Sequence, residues 1–187
     1  MWQPPFLRSK EDSMKKKTNQ QPLEQQHLFE LPASPTSSKF ISVYRVSLVR
    51  DQSVIFEQRT LSNSVQAHHI IRKLIETQGQ PDREQFCIVL LSAKNVIIGL
   101  NIVAMGDLVP STVSGREMLK PVILGNAAGI ICAHNHPSGE LSPSPADMTI
   151  TKKIIHASEF MGIHVLEHLI ISMDSNAYYS FADNGLI

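Results

Sequence analysis

The sequence predicts an α/β domain in which a mixed β-sheet is flanked by helices. Apolar runs of strand length, such as FCIVLL and AAGIICA, alternate along the chain with segments of helical periodicity such as HHIIRKLIETQ. Such alternation is typical of layered α/β folds. The 187 residues are enough for one domain with a sizeable core and a tail, and they contain no internal repeat and no glycine-rich phosphate loop.

Residues 1–38 are predicted to be a disordered leader, because QQPLEQQ and LPASPTSS are polar and lack periodicity. The leader has no apolar core of signal-peptide length, and no run in the chain approaches a membrane span, so we expect a cytoplasmic protein without a membrane partner. The 17 basic and 17 acidic residues leave no broad positive field for non-specific binding of nucleic acid. Cys87 and Cys132 lie in apolar runs and are expected to be buried thiols.

The ordered domain is predicted to span residues 39–187. Alternation in ISVYRVSLV and SVIFEQRTL predicts a β-hairpin at its start. Caps at Ser62–Ser64 then begin a helix that runs to about Thr77 and ends near Gly79. The segment FCIVLLSAKNVIIGLNIVAMG reads as two largely buried strands joined by a turn at Ala93–Asn95.

The second half of the domain begins with a helix at Met118–Leu124, preceded by a capping box that pairs Ser114 with Glu117. A buried strand is expected at Ala128–Ala133, and a helix from about Pro145 to Met161, stopped by Gly162. The segments HVLEHLIIS and AYYSFA are predicted to be the closing strands.

The stretch AHNHPSGELSPSPAD, from Ala133 to Asp147, has the residue types of a metal site. Residues two apart on an extended segment point to the same side, so His134 and His136 can present both rings to one ion. Asp147 lies eleven positions after His136 (147 minus 136), far enough for the chain to turn back. Two nitrogens and one oxygen suit Zn²⁺ and leave a fourth position for water.

The same residues also fit a helix start that needs no metal. Ser144 is a good N-cap, Pro145 suits the first helical position, and an acid in the first turn complements the helix dipole. Residue types alone leave both interpretations open. They are compatible, because a carboxylate held in a capped first turn is preorganised as a ligand.

The segments REMLKPVILGNAAGIICAHNHPSGELSPSPADMTITKKI and GIHVLEHLIIS resemble the RadC family, whose domain is of the JAB/MPN type, a metalloprotease-like fold related to cytidine deaminases. The resemblance runs from about Val65 to the end of the chain. Its histidine pattern is similar to the JAMM zinc motif. The resemblance implies Zn²⁺ held by His134, His136 and Asp147, with Ser144 as a catalytic hydroxyl that stabilises an oxyanion, and a peptide or protein substrate.

Metal-assisted hydrolysis needs a base, and two glutamates are candidates. Glu84 begins the strand EQFCIVLL, the place where the resemblance puts the catalytic glutamate. Glu117 is the alternative catalytic residue, but the predicted capping box gives it a structural role. We favour Glu84. The chain also departs from the family, since Ser114–Gly115 stands where His-Pro is common.

The leading hypothesis is therefore a zinc-dependent hydrolase of the JAMM type that cleaves peptide or isopeptide bonds. One alternative is a DNA-repair-associated accessory protein. The sequence supports it only weakly, because the neutral charge balance gives no broad phosphate-binding surface and the leader is short and polar. Another is a non-catalytic MPN binding module. His168, which has a family counterpart, is expected to be a surface or core histidine and not a ligand. The sequence does not determine the oligomeric state.

Overall fold

A five-stranded mixed sheet organises the residues that the computed structural model describes, which are 43–57, 59–106 and 113–187. The predicted 1–38 leader lies outside them. The sheet belongs to one compact unit, residues 45–187. Its strands are β1 (Gln85–Leu91), β2 (Ile97–Met105), β3 (Gly129–His136), β4 (His164–Ser172) and β5 (Tyr178–Ser180), and its helices are α1 (Ser64–Gln78), α2 (Gly115–Leu124) and α3 (Pro145–Phe160).

The strand order in the sheet is β2-β1-β3-β4-β5. Strand β1 is antiparallel to both β2 and β3, and β5 is antiparallel to β4. Strands β3 and β4 are parallel, which requires a crossover connection, and α3 supplies it. The start of this crossover is the predicted metal segment.

Each face of the sheet carries its own core. Successive residues of a strand point to opposite faces, so β1 sends Cys87, Val89 and Leu91 to the face covered by α1. Phe86, Ile88 and Leu90 point to the other face, which is covered by residues of α2 and α3. Burial on both faces explains why β1 is apolar along almost its whole length, and it confirms the predicted α/β class.

Local sequence signals set most of the element boundaries. Helix α1 begins at the predicted caps, where the side chain of Asn63 accepts a hydrogen bond from the backbone N–H of Gln66 at 2.9 Å. The turn between β1 and β2 uses Asn95 with a φ of 56°, a conformation that asparagine tolerates. Strand β2 is only partly buried, contrary to the prediction, because it lies at the edge of the sheet.

The predicted amino-terminal hairpin is wrong for the described residues. Residues 43–57 and 59–61 contain no strand, and their only ladder contact is an isolated bridge between Thr60 and Val96. Val54 and Phe56 instead pack against the core on the α1 face. Val54 and Phe56 therefore contribute side-chain contacts to the core without forming a hairpin.

The predicted capping box of α2 is also wrong. Ser114 is the N-cap, but its side chain makes no capping hydrogen bond. The carboxylate of Glu117 instead pairs with Lys120 at 2.5 Å on the surface. Among the described residues, no helix is both long and apolar enough to cross a membrane.

Candidate metal centre

The end of β3 and the start of α3 bring the three predicted ligands together. Strand β3 extends three residues beyond its predicted end at Ala133, so His134 and His136 both lie on it and share a face. Asp147 is the third residue of α3. One ligand atom from each of these residues lies within 4.8 Å of the other two.

The separations between these atoms fit one tetrahedral ion. The two Nε2 atoms of His134 and His136 are 3.0 Å apart. The carboxylate of Asp147 lies 3.2 Å from Nε2 of His134 through Oδ1 and 3.9 Å from Nε2 of His136 through Oδ2. Zinc bonds of roughly 2.0 Å in tetrahedral geometry place neighbouring ligand atoms about 3.3 Å apart. The residues present therefore fit Zn²⁺ with one coordination position left open.

Each histidine is also held through its other ring nitrogen. Nδ1 of His136 lies 2.6 Å from the carbonyl oxygen of Glu140. A carbonyl only accepts, so Nδ1 carries the proton and the neutral ring has a bare Nε2. Nδ1 of His134 lies 3.0 Å from Nε2 of His168. Hydrogen bonds of this kind orient the rings of metal-binding histidines.

Asp147 takes part in the cap of α3, as predicted, and it is also a candidate ligand. Its Oδ2 accepts hydrogen bonds from the backbone N–H of Ser144 at 2.7 Å and from the Ser144 hydroxyl at 2.6 Å. The Ser144 hydroxyl in turn accepts from the backbone N–H of Asp147 at 3.1 Å, which completes a capping box. Because the cap occupies Oδ2, Oδ1 is left facing His134.

The charge of Asp147 is stabilised by its neighbours. Burial raises the pKa of this carboxyl, but the close approach of the His134 imidazole and the hydrogen bonds from Ser144 outweigh burial and lower the pKa well below its usual range. The single hydroxyl proton of Ser144 is directed at Asp147. Donation to an oxyanion therefore requires this hydroxyl to rotate, and the catalytic role of Ser144 stays a prediction.

The structure places the two candidate glutamates differently. The β1–β3 register pairs Phe86 with His134, so Glu84, which directly precedes β1, lies towards the end of the sheet where β3 finishes at His136. The buried Asn135 bonds to the carbonyl of Arg83 at 2.8 Å and to the N–H of Gln85 at 2.9 Å, so it holds the chain on both sides of Glu84.

Glu117 lies on the surface, with its side chain 54% exposed and paired with Lys120. Among the described residues, neither glutamate belongs to the cluster formed by the three predicted ligands. The choice of Glu84 as base stays a prediction.

Sequence reasoning missed the part that His168 plays. It lies in the core outside the cluster of candidate ligands, and it contacts His134 directly. Its ring packs between Phe86 and Phe181, at centroid distances of 5.5 and 4.8 Å. Burial, and then the proximity of His134, lower the pKa of His168 well below its usual value. A polar residue inside the apolar run HVLEHLIIS was the available signal.

Residues 61–186 match the family model described as a RadC-like JAB domain. A UPF0758 protein from Rubrobacter xylanophilus is 40% identical over 106 residues, which cover 57% of this chain and 45% of that protein. A UPF0758 protein from Desulfitobacterium hafniense is 37% identical over 129 residues (69% and 55%). One from Flavobacterium johnsoniae is 36% identical over 132 residues (71% and 56%). The matched part spans about half the length of these curated relatives, and their names state no activity.

Proposed function

The chain belongs to the RadC-like JAB domain family, and from this we propose that it is a zinc-dependent hydrolase of the JAMM type acting on peptide or isopeptide bonds. The observation that carries the proposal is the convergence of three ligand atoms from His134, His136 and Asp147 at separations suited to one ion. In their neutral forms, two bare imidazole nitrogens 3.0 Å apart would repel each other. A cation between them removes that repulsion.

The donor set favours zinc over the hard cations. Imidazole suits Zn²⁺ and its neighbours in the transition series, whereas Mg²⁺ and Ca²⁺ prefer oxygen ligands. Three protein ligands with an open position are the pattern of catalytic zinc sites. When bound in such a site, zinc polarises a substrate carbonyl and lowers the pKa of a coordinated water.

The residues of the chain then have separate tasks. His134 and His136 would hold the metal through Nε2 and Asp147 would hold it through Oδ1, while Ser144 holds the other carboxylate oxygen. Glu84 takes a proton from the attacking water and returns it to the departing amine. The bonds from Asn135 to Arg83 and Gln85 support this role, because they hold the backbone of Glu84 beside the site.

Solvent reaches the site from the side of His136. The side chain of His136 is 14% exposed, whereas those of His134 and Asp147 are 3% and 7% exposed. A substrate carbonyl therefore approaches past His136, and the deeper ligands stay enclosed by protein. The shielding of His134 and Asp147 strengthens their electrostatic interactions.

The test is hydrolysis of peptide and isopeptide libraries by the zinc-loaded chain, with Glu84→Gln and Glu117→Gln compared side by side. We expect Glu84→Gln to retain zinc and lose about 10²- to 10⁴-fold in kcat, the usual contribution of a general base. Glu117→Gln is the matched control and should keep activity near that of the unmodified chain. The reverse pattern would move the base to Glu117.

Zinc content tests the site itself. Metal analysis should show one zinc per unmodified chain and a clear loss in both His134→Ala and Asp147→Ala. Stoichiometric zinc in both variants would refute the site. A zinc-loaded protein that cleaves no member of either library would instead be a binding module that keeps the fold without turnover.

A further inference from the structure

We propose that Thr151 and His168 are positioning residues, forming a relay that fixes the His134 ring in the tautomer with a bare Nε2. This inference rests on the proposed metal site. The relay runs from the backbone of Asp147 through Thr151 and His168 to His134, and it couples two of the ligands to each other. All four of these residues are buried.

The donor in each hydrogen bond of the relay can be assigned by starting from the carbonyl oxygen of Asp147. The Thr151 hydroxyl lies 2.7 Å from that oxygen, one helical turn along α3. A backbone carbonyl has no proton to give, so Thr151 is the donor. A threonine hydroxyl has a single proton, and this bond uses it.

The second step passes from Thr151 to His168. Nδ1 of His168 lies 2.7 Å from the same hydroxyl oxygen. Because the hydroxyl proton is already committed to the carbonyl of Asp147, the oxygen of Thr151 accepts here. The proton in this bond therefore sits on Nδ1 of His168.

The third step passes from His168 to His134. The His168 ring is only 1% exposed and lies between the aromatic rings of Phe86 and Phe181. A neutral ring is favoured in such surroundings, since an apolar enclosure penalises charge. A neutral ring with a proton on Nδ1 has a bare Nε2, which accepts at 3.0 Å from Nδ1 of His134. The Nε2 atom of His134 is then free to bind a metal.

The arrangement makes α3 responsible for two features of the site. The helix presents the carboxylate of Asp147 in its first turn, and through Thr151 in the next turn it sets the donor direction at His134. His136 reaches the same tautomer independently through Glu140. Only the His134 side of the site depends on the relay.

The proton positions can be read directly in the metal-free chain by long-range ¹H–¹⁵N correlation NMR of its histidine rings. We expect His168 to carry its proton on Nδ1 and to have a bare Nε2. A proton on Nε2 of His168, in a neutral or a charged ring, would overturn the relay. This measurement needs neither zinc nor substrate.

The function of the relay is tested by zinc affinity in a chelator competition. Thr151→Val removes the hydroxyl at nearly constant volume and should weaken zinc binding about 10- to 100-fold, as loss of such supporting hydrogen bonds typically does. Thr151→Ser keeps the hydroxyl and should restore most of the affinity. The matched control is Thr149→Val, because the exposed Thr149 hydroxyl makes the same kind of bond, to the Pro145 carbonyl at 2.8 Å, on the same helix.

The possible outcomes distinguish a failure of the relay from a failure of the proposed metal site. Equal zinc affinity in Thr151→Val and Thr149→Val, with zinc bound by the unmodified chain, would overturn the relay and leave the metal site standing. An unmodified chain that binds no zinc would refute the metal site, and with it the function of the relay.

Discussion

Asp147→Asn separates the capping role of this residue from its role as a ligand. The amide has the shape of the carboxylate, so its oxygen can take the place of Oδ2 and keep both hydrogen bonds from Ser144. The amide nitrogen then replaces Oδ1, which faces Nε2 of His134 at 3.2 Å. A donor at that position cannot bind a cation. We expect a folded protein without a metal site.

The stability change can be worked from the bonds that alter. Two charge-assisted hydrogen bonds become neutral, and each such exchange costs about 1 kcal/mol. Loss of a negative charge from the first helical turn costs roughly 0.3–1 kcal/mol more. Removal of a buried charge offsets part of this. The metal-free variant should therefore be about 2 kcal/mol less stable, which lowers Tm by roughly 4–8 °C for a domain of this size.

The assay is thermal unfolding in EDTA and in excess zinc. Zinc at about 100 times its Kd stabilises the native state by about 2.7 kcal/mol. The unmodified chain should therefore gain roughly 5–10 °C, and Asp147→Asn should gain almost nothing. Asp183→Asn is the control, because this exposed carboxylate accepts a bond from Ser64 at 2.8 Å. A zinc shift in Asp147→Asn equal to that of the unmodified chain would refute the assignment of Oδ1 as a ligand.

Two further predictions concern acid stability and the chain around Glu84. The lowered pKa of Asp147 means that its contribution to stability is complete above the unfolded pKa of about 3.9 and is lost as pH falls below it. In urea titrations with EDTA between pH 3 and 6, the stability gap between the unmodified chain and Asp147→Asn should shrink below about pH 4; a constant gap would contradict this. Asn135→Ala leaves the carbonyl of Arg83 and the N–H of Gln85 without their side-chain partner, so we expect a loss of about 2–4 kcal/mol in urea unfolding, together with a fall in kcat that zinc loading does not restore. Unchanged stability would show that Asn135 does not hold this segment.

Sequence reasoning worked best where one local interaction decides the structure. The N-cap side chain of Asn63 and the capping box of Ser144 with Asp147 are satisfied within a few residues, so their sequence signals were sufficient. His134 and His136 share a face of β3 for a similar local reason, because alternation along a strand fixes the relative direction of residues two apart.

Most of the wrong or missed features depend on a residue that is far away in the sequence. Alternation in residues 41–57 shows that one face is apolar, but it does not show whether a neighbouring strand is available, and Val54 and Phe56 found the core instead. The Ser114–Glu117 capping box is an exception, because a local competitor prevails: Lys120, three residues along the same helix, pairs with the carboxylate. The contact of His168 with His134 spans 34 residues and depends on the parallel pairing of β3 with β4.

The crossover between β3 and β4 makes the candidate site local in the chain. His134 and Asp147 are 13 positions apart (147 minus 134), so closing the loop between them costs little conformational entropy. An ion bound there would tie a strand to the helix that follows it, without joining remote parts of the sheet. Occupancy of the site would then govern the rigidity of one strand–loop–helix unit, while the cores on the two faces hold the domain together.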